Sequence, residues 1–335
     1  MKAVLLDAPA PLDQNPLRIT DMPTPEPGPG QVLIRVSACG VCRSNLHMIE
    51  GEWPGVPTFT PIVPGHELVG RVAGVGEGVT SFAEGDRVGM QPLWSTCGRC
   101  EYCLTGRDPL CRTKEITGET VHGGYAEYVL SVADHTYLLP DGLDDAEAAP
   151  LFCPGITAYG AVAKAGLGPG RTVALFGVGG VGHMVLQMAV LQGANVTAVS
   201  RGKEHLDLAS ELGASRGLDA TAEDPGQVLA AEGGVDASIV FAPSSTSMRQ
   251  ALQATKPGGT VVVGVNVEVG GLPFAEEKTI VGSLLGNRQQ MREVLDLAAA
   301  GRLRSVVETF SLDQATEALG RLKSGSIRAR AVLLT

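Results

Sequence analysis

The sequence predicts an α/β protein in two parts: a mostly-β domain and a domain built on a doubly wound parallel sheet. Three observations carry this. An apolar run, Thr172–Phe176, leads straight into Gly177-Val178-Gly179-Gly180-Val181-Gly182 and then a helical stretch. Near Pro154 the chain changes texture, from short β-type runs punctuated by Pro and Gly to apolar strands alternating with helices. A length of 335 residues also exceeds what one core usually supports.

The first part opens on Met1-Lys2-Ala3-Val4-Leu5-Leu6, an apolar run that stops at Asp7. It is too short for a secretory signal and reads as a first strand. Further β-type runs follow at Val32–Val36, Leu68–Val75, Arg87–Met90 and Tyr125–Val129, separated by turns such as Pro25-Glu26-Pro27-Gly28-Pro29-Gly30. This part is expected to occupy 1–153. From 154 to 286 the strands Thr172–Phe176, Val196–Val199, Ala237–Phe241, Thr260–Val263 and Thr279–Leu284 alternate with helices such as Gly182–Gln192 and Glu204–Leu212. The tail, 287–335, offers a helix (Met291–Ala300) and a strand (Ala331–Leu334). It is too short to fold alone and is expected to rejoin the first part.

Composition narrows the function classes. Hydrophobic residues make up 44% and charged residues 19%, a soluble globular balance. A net charge of −10 argues against a nucleic-acid partner, which usually needs a basic face. No uninterrupted apolar stretch is long enough to span a bilayer, so no membrane partner is expected. An odd number of cysteines (seven), zinc-type spacing and no export signal fit a reducing cytoplasm.

Four of those cysteines, Cys97, Cys100, Cys103 and Cys111, share one loop, 92–113, spaced C-x2-C-x2-C-x7-C. Short C-x2-C steps let a tight turn bring thiolates onto one tetrahedral ion. Two disulfides are the alternative, but such pairs close poor rings and the compartment does not favour them. A zinc held by four thiolates is closed and structural, so the chemistry belongs elsewhere.

The glycine run is G-x-G-x-x-G in a strand–turn–helix setting, the pattern of a dinucleotide site. Gly177 permits the tight turn, Gly179 lets backbone approach a pyrophosphate, and Gly182 lets the helix pack on the strand. Gly180 and Val181 sit between them, where a helix N-terminus faces the phosphates. The second strand ends at Ser200-Arg201-Gly202-Lys203, without the Asp or Glu that usually binds an NAD ribose. A hydroxyl at Ser200 and positive charge at Arg201 and Lys203 favour NADP over NAD.

Several motifs together resemble the zinc-dependent medium-chain alcohol dehydrogenases over essentially the whole chain. They are G-V-C-R-S-N-L-H at Gly40–His47, G-H-E at Gly65–Glu67, the four-cysteine loop, G-G-Y-A-E-Y at Gly123–Tyr128, the glycine fingerprint, and I-R-A-R-A-V-L at Ile327–Leu333. The resemblance implies a GroES-like catalytic domain and a Rossmann domain, with two zinc ions per subunit. It makes Cys42, His66 and Cys153 the ligands of a catalytic zinc and Glu67 a carboxylate that can approach the metal. Ser44 and His47 are implied as a proton relay. Arg43 and Arg330 are implied as pyrophosphate-binding residues, and Thr157 as packing behind the nicotinamide. Trp53, Leu93 and Trp94 fall where the family lines its substrate pocket. They suggest an apolar or aromatic primary alcohol or aldehyde. Cinnamyl-alcohol and broad-range bacterial types are the nearer branches, and a homodimer or homotetramer is implied.

One departure stands out. The family commonly has Asp where this chain has Asn45. That Asp accepts a hydrogen bond from the zinc-ligating His and strengthens it as a donor. A neutral amide is expected to leave His66 a poorer donor and the metal a stronger Lewis acid, favouring carbonyl reduction. Two other readings stay open: a reductase of activated C=C or C=N bonds on the same scaffold, and a cofactor-binding protein without turnover.

Overall fold

A computed structural model describes residues 1–271 and 273–335. The chain divides into two compact units, Met1–Cys153 with Asn287–Thr335, and Pro154–Gly286.

In the first unit the central strand is Gln31–Gly40, buried along the face that carries Val32, Ile34, Val36 and Ala38, and on the other face at Leu33 and Cys39, with Arg35 exposed. Around it the sheet runs in the order Val307–Ser311, Arg330–Leu334, Gln31–Gly40, Leu68–Val75, Arg87–Met90, Thr136–Leu138. Tyr128–Val132 pairs antiparallel with the same central strand. The tail thus enters this sheet directly: Arg330–Leu334 lies antiparallel to Gln31–Gly40, with Leu333 opposite Cys39. Lys2–Leu6 forms a separate hairpin with Leu17–Asp21. Beneath the sheet, Ile34, Leu46, Met48, Ile49, Ile62 and Tyr125 are fully or almost fully buried in one apolar cluster. Their ordinary hydrophobic stabilisation, about 1.5–3 kcal/mol per large side chain, fixes the loops that carry the chemistry.

The second unit is a six-stranded, wholly parallel sheet, ordered Arg216–Asp219, Asn195–Ser200, Thr172–Phe176, Val235–Val240, Thr255–Val263, Thr279–Gly282. By position in the chain this is 3-2-1-4-5-6, the dinucleotide-binding order whose reversal point lies beside Thr172–Phe176. That strand is followed at once by the glycine run and the helix Gly182–Leu191. The edge strand Arg216–Asp219 and the helices Pro225–Ala231 and Ser245–Ala254 complete the alternation. Asp224 and Ser244 cap those two helices by accepting from their first backbone N–H groups. Among the described residues no helix is long and apolar enough to cross a membrane.

Candidate active site

The four-cysteine loop folds into a compact lobe. Strand Leu93–Ser95 leads in, the short helix Glu101–Leu104 turns the chain, and Glu115–Ile116 pairs back with the first strand. Cys97 and Cys103 sulfurs lie 3.9 Å apart and Cys100 and Cys103 sulfurs 3.5 Å apart. Thiolates about 2.3 Å from a central zinc sit about 3.8 Å from one another in a tetrahedron, so the donor set fits zinc. Backbone N–H groups serve the sulfurs as they would serve thiolates. Cys100 donates to Cys97 Sγ at 3.3 Å, and Cys97 donates to Cys111 Sγ at 3.5 Å. Burial pushes the Cys111 thiol up, but those backbone donors and Thr113 outweigh it and bring the pKa down to about 6.

A second cluster gathers Cys42, His66, Glu67 and Cys153, all buried, with one ligand atom of each within 4.8 Å of the others. Their sequence separation is bridged by the sheet. Gly40 ends the central strand and its N–H donates to Glu67 O, setting the Cys42 turn beside the His66 turn. His66 follows Gly65, whose φ of +97° suits glycine; a Cβ there would meet the Tyr125 ring at 2.4 Å. Cys153 ends the tight helical turn Ala149–Phe152, anchored by Phe152 in the core.

Cys42 and Cys153 sulfurs stand 3.8 Å apart, again a tetrahedral edge. Two thiolates, one imidazole and a neighbouring carboxylate are a donor set that suits zinc and leaves room for a further oxygen ligand. The bond from Cys153, with Arg330 and His66 close by, holds the Cys42 thiol well below its ordinary range. Burial pushes Glu67 up to about 7 against the pull of Arg330.

The remaining sequence candidates fall into three groups. Ser44, at the start of the helix Arg43–Ile49, donates to Cys42 Sγ at 3.0 Å and lies 3.3 Å from His66 Nε2. His47 stands three residues on, on the same helix face. Its Nδ1 meets Glu52 Oε2 at 2.5 Å and its ring stacks obliquely on Trp53, centroids 5.5 Å apart. Leu93 is fully buried. Trp94 donates its indole N–H to Leu130 O at 3.0 Å and lines a cavity of about 320 Å³ with Met1, Met22, Phe59 and His122, apart from the metal ligands.

The two arginines both find partners within the first unit. Arg330 is buried, and its guanidinium donates through Nε and Nη2 to the Glu67 carboxylate. Burial works against that charge, but Glu67, Cys42 and Cys153 around it keep its pKa well above the ordinary value. The reason is the register that puts Arg330 at the start of its strand, two residues from the Val332–Gly40 pair. Arg43 Nη2 donates to Leu322 O at 2.8 Å.

In the second unit, Gly177 has φ +100° and its Cβ would strike Ala242 N at 2.9 Å. A Cβ at Gly182 would meet Gly177 O at 1.9 Å, whereas one at Gly179 would meet nothing within 4 Å. The turn is therefore tight beneath and open above, as a bound pyrophosphate requires. Thr157 is half-buried on the helix Pro154–Lys164. Ser200 ends the second strand, Lys203 pairs with Asp207, and among the described residues Arg201 makes no ion pair.

Sequence reasoning missed Glu119. Its Oε1 lies 3.9 Å from His66 Nδ1, in a side chain only 15% exposed. The available signal was indirect: a neutral Asn45 leaves His66 without the usual carboxylate.

Comparison with known proteins agrees with this geometry. The family described as alcohol dehydrogenase GroES-like domain matches residues 28–141, and that described as zinc-binding dehydrogenase matches 180–300. An alcohol dehydrogenase of Geobacillus stearothermophilus is 43% identical over 324 residues, 95% of each chain. The crystal structure of the alcohol dehydrogenase from Aeropyrum pernix superposes with a TM-score of 0.93 at 33% identity, covering 100% of both chains. A zinc-binding dehydrogenase from Sinorhizobium meliloti 1021, solved bound to NADP, gives 0.89 at 30% identity, covering 100% of this chain and 99% of that one. The chain belongs to the zinc-dependent medium-chain alcohol dehydrogenase family.

Proposed function

We propose that this alcohol dehydrogenase transfers hydride between NADP(H) and an apolar or aromatic primary alcohol or aldehyde. The observation that carries the reading is the buried convergence of Cys42, His66, Cys153 and Glu67 beside the Ser44 hydroxyl. A zinc ion bound there acts as a Lewis acid on an alcohol or carbonyl oxygen, and a nicotinamide cofactor supplies or accepts the hydride. A second zinc belongs to Cys97, Cys100, Cys103 and Cys111. Seven free cysteines of this kind need a reducing compartment, consistent with cytoplasm.

The chain's own residues do the rest. Ser44 carries a hydroxyl that both donates and accepts, so it takes the alcohol proton as another leaves. His47, partly exposed and one helical turn further, receives that proton and passes it to solvent. Glu52 orients the His47 ring through Nδ1, so Nε2 is the nitrogen free to exchange. Trp53, stacked on His47, supplies apolar surface next to this route. These features favour alcohol oxidation and carbonyl reduction over C=C or C=N reduction, which needs no hydroxyl relay.

Solved structures of this fold carry NAD as well as NADP, so the preference is argued from the second strand. There Ser200 replaces the usual carboxylate, and Arg201 offers a cation without an ion-pair partner among the described residues. Initial rates of benzaldehyde reduction, measured in parallel with NADPH and NADH, test both halves of the proposal. Turnover led by NADPH supports it. Turnover led by NADH removes the cofactor preference, and no turnover by zinc-replete protein removes the carbonyl chemistry.

A further inference from the structure

Two side chains flank the outer ring nitrogen of His66. If Nε2 serves a metal, Nδ1 carries a proton and must donate it. On one side stands Asn45, fully buried, its amide nitrogen 3.4 Å from Nδ1 while its Oδ1 has no partner. Two donors would then face each other. Turning the amide over puts Oδ1 on Nδ1–H and resolves both faults, since amide N and O are interchangeable in shape. Asn45 thus accepts a hydrogen bond but contributes no charge.

On the other side stands Glu119, 3.9 Å away through Oε1. Its position is built. Glu119 N donates to Ile116 O at 3.1 Å, and Thr58 N donates to Glu119 O at 3.1 Å. The preceding Gly118 has φ +73°, and a Cβ on it would come within 2.8 Å of Gly65 N. Glycine at 118 therefore lets the Glu119 turn press against the backbone that carries His66. Among the described residues the Glu119 carboxylate accepts no hydrogen bond of its own. An adjustment of about 1 Å brings it to charge-assisted hydrogen-bond distance from Nδ1.

We propose that Glu119 is a positioning residue that supplies His66 with the negative charge Asn45 lacks, so that the charged partner of the ligating imidazole comes from the 117–123 turn and not from the helix after Cys42. The inference rests on the zinc reading of Cys42, His66 and Cys153 given above. It revises the expectation drawn from Asn45 alone, because His66 keeps an anionic neighbour and its full donor strength. Outer partners of this kind are typically worth about 10–100-fold in metal affinity.

The test is zinc retention against a chelator, dipicolinate, read as two release steps on the wild type, Glu119→Gln, Asn45→Asp and the double variant. The lobe zinc is the internal control. Glu119→Gln is expected to weaken one of the two zinc ions by about 10–100-fold and leave the other unchanged. Adding Asn45→Asp to it restores retention, which a merely structural Glu119 would not allow. Unchanged retention in Glu119→Gln overturns the inference, and so does a loss that Asn45→Asp fails to rescue. If Glu119→Gln does not fold, Asn45→Asp alone decides. Where Glu119 already supplies the charge, it leaves retention nearly unchanged; where Glu119 is idle, it tightens zinc by the full factor. A wild type that holds only the lobe zinc defeats the metal reading itself, whereas a wild type with two equally held in Glu119→Gln defeats this inference alone.

Discussion

Arg330 and Glu67 form a buried ion pair directly behind the ligand cluster, guanidinium Nε to carboxylate Oε2 at 3.0 Å with a second contact through Nη2. Neither side chain is more than 4% exposed. Removing one member leaves the other as an uncompensated buried charge. Arg330→Met is expected to lower stability by about 3–5 kcal/mol in urea denaturation. Adding Glu67→Gln recovers part of that loss, because the orphaned charge goes with it.

Ser44→Ala removes the hydroxyl that is hydrogen-bonded to Cys42 Sγ and lies beside His66 Nε2. The expected result is a fall in kcat of about 100-fold or more at unchanged zinc content. His47→Gln is expected to cost less, because solvent partly replaces an exposed imidazole. Equal kcat in wild type and Ser44→Ala removes the relay from the account.

Gly89 faces the ring of Phe152, the residue just before Cys153. A Cβ at Gly89 would lie 2.1 Å from that ring. Phe152 is itself fully buried and tilted against Tyr137, so it has no room to retreat. Gly89→Ala is expected to cost about 1–3 kcal/mol and to displace Cys153. The check is paired: a lower denaturation midpoint together with weaker zinc retention.

Asp236 bridges strand ends in the second unit, accepting from Thr172 and pairing with Arg171 and Lys256. Burial works against its charge, but these partners hold its pKa well below the ordinary carboxylate value. A depressed folded pKa means that the stabilisation is complete above the unfolded value, about 3.9, and fades as pH falls through the folded one. Asp236→Asn should therefore be less stable than wild type by about 2 kcal/mol at pH 7, with the gap closing below about pH 4.

His135 gives a window of the same sign at higher pH, for the opposite reason: folding disfavours its charged form. It is buried, and burial, then Arg288, lower its pKa from 6.5 to about 4. Its Nε2 lies 3.2 Å from Thr96 Oγ1, next to Cys97. Between those two pH values the unfolded chain binds the proton and the folded chain does not, so stability falls as pH drops from 6.5 towards 4 and is flat below. His135→Gln is expected to flatten that part of the stability profile of the first unit.

Much of the fold was legible because it is written locally. Thr172–Phe176 reads as a strand from its apolar run, and the glycines after it name the turn. The edge strand Arg216–Asp219 was not legible: Arg-Gly-Leu-Asp has one apolar side chain, and only pairing with Asn195–Ser200 makes it a strand. The strand Thr255–Val263 begins five residues before the apolar run that marks it. Its start crosses Pro257, Gly258 and Gly259, and a break in register absorbs them. At the site, the lobe cysteines announce themselves by spacing. Cys42, His66 and Cys153 do not, because the sheet, not the sequence, brings them together. Glu119 was hidden for the same reason: it lies 74 positions after Asn45, and only the Gly65–Gly118 contact makes them neighbours of one histidine.

The most direct test of the account is zinc content and benzaldehyde turnover measured on the same preparations of wild type and Cys153→Ser. The account predicts two zinc ions per chain in the wild type, one in the variant, and loss of turnover with the missing ion. Two zinc ions retained with turnover intact in Cys153→Ser would contradict it.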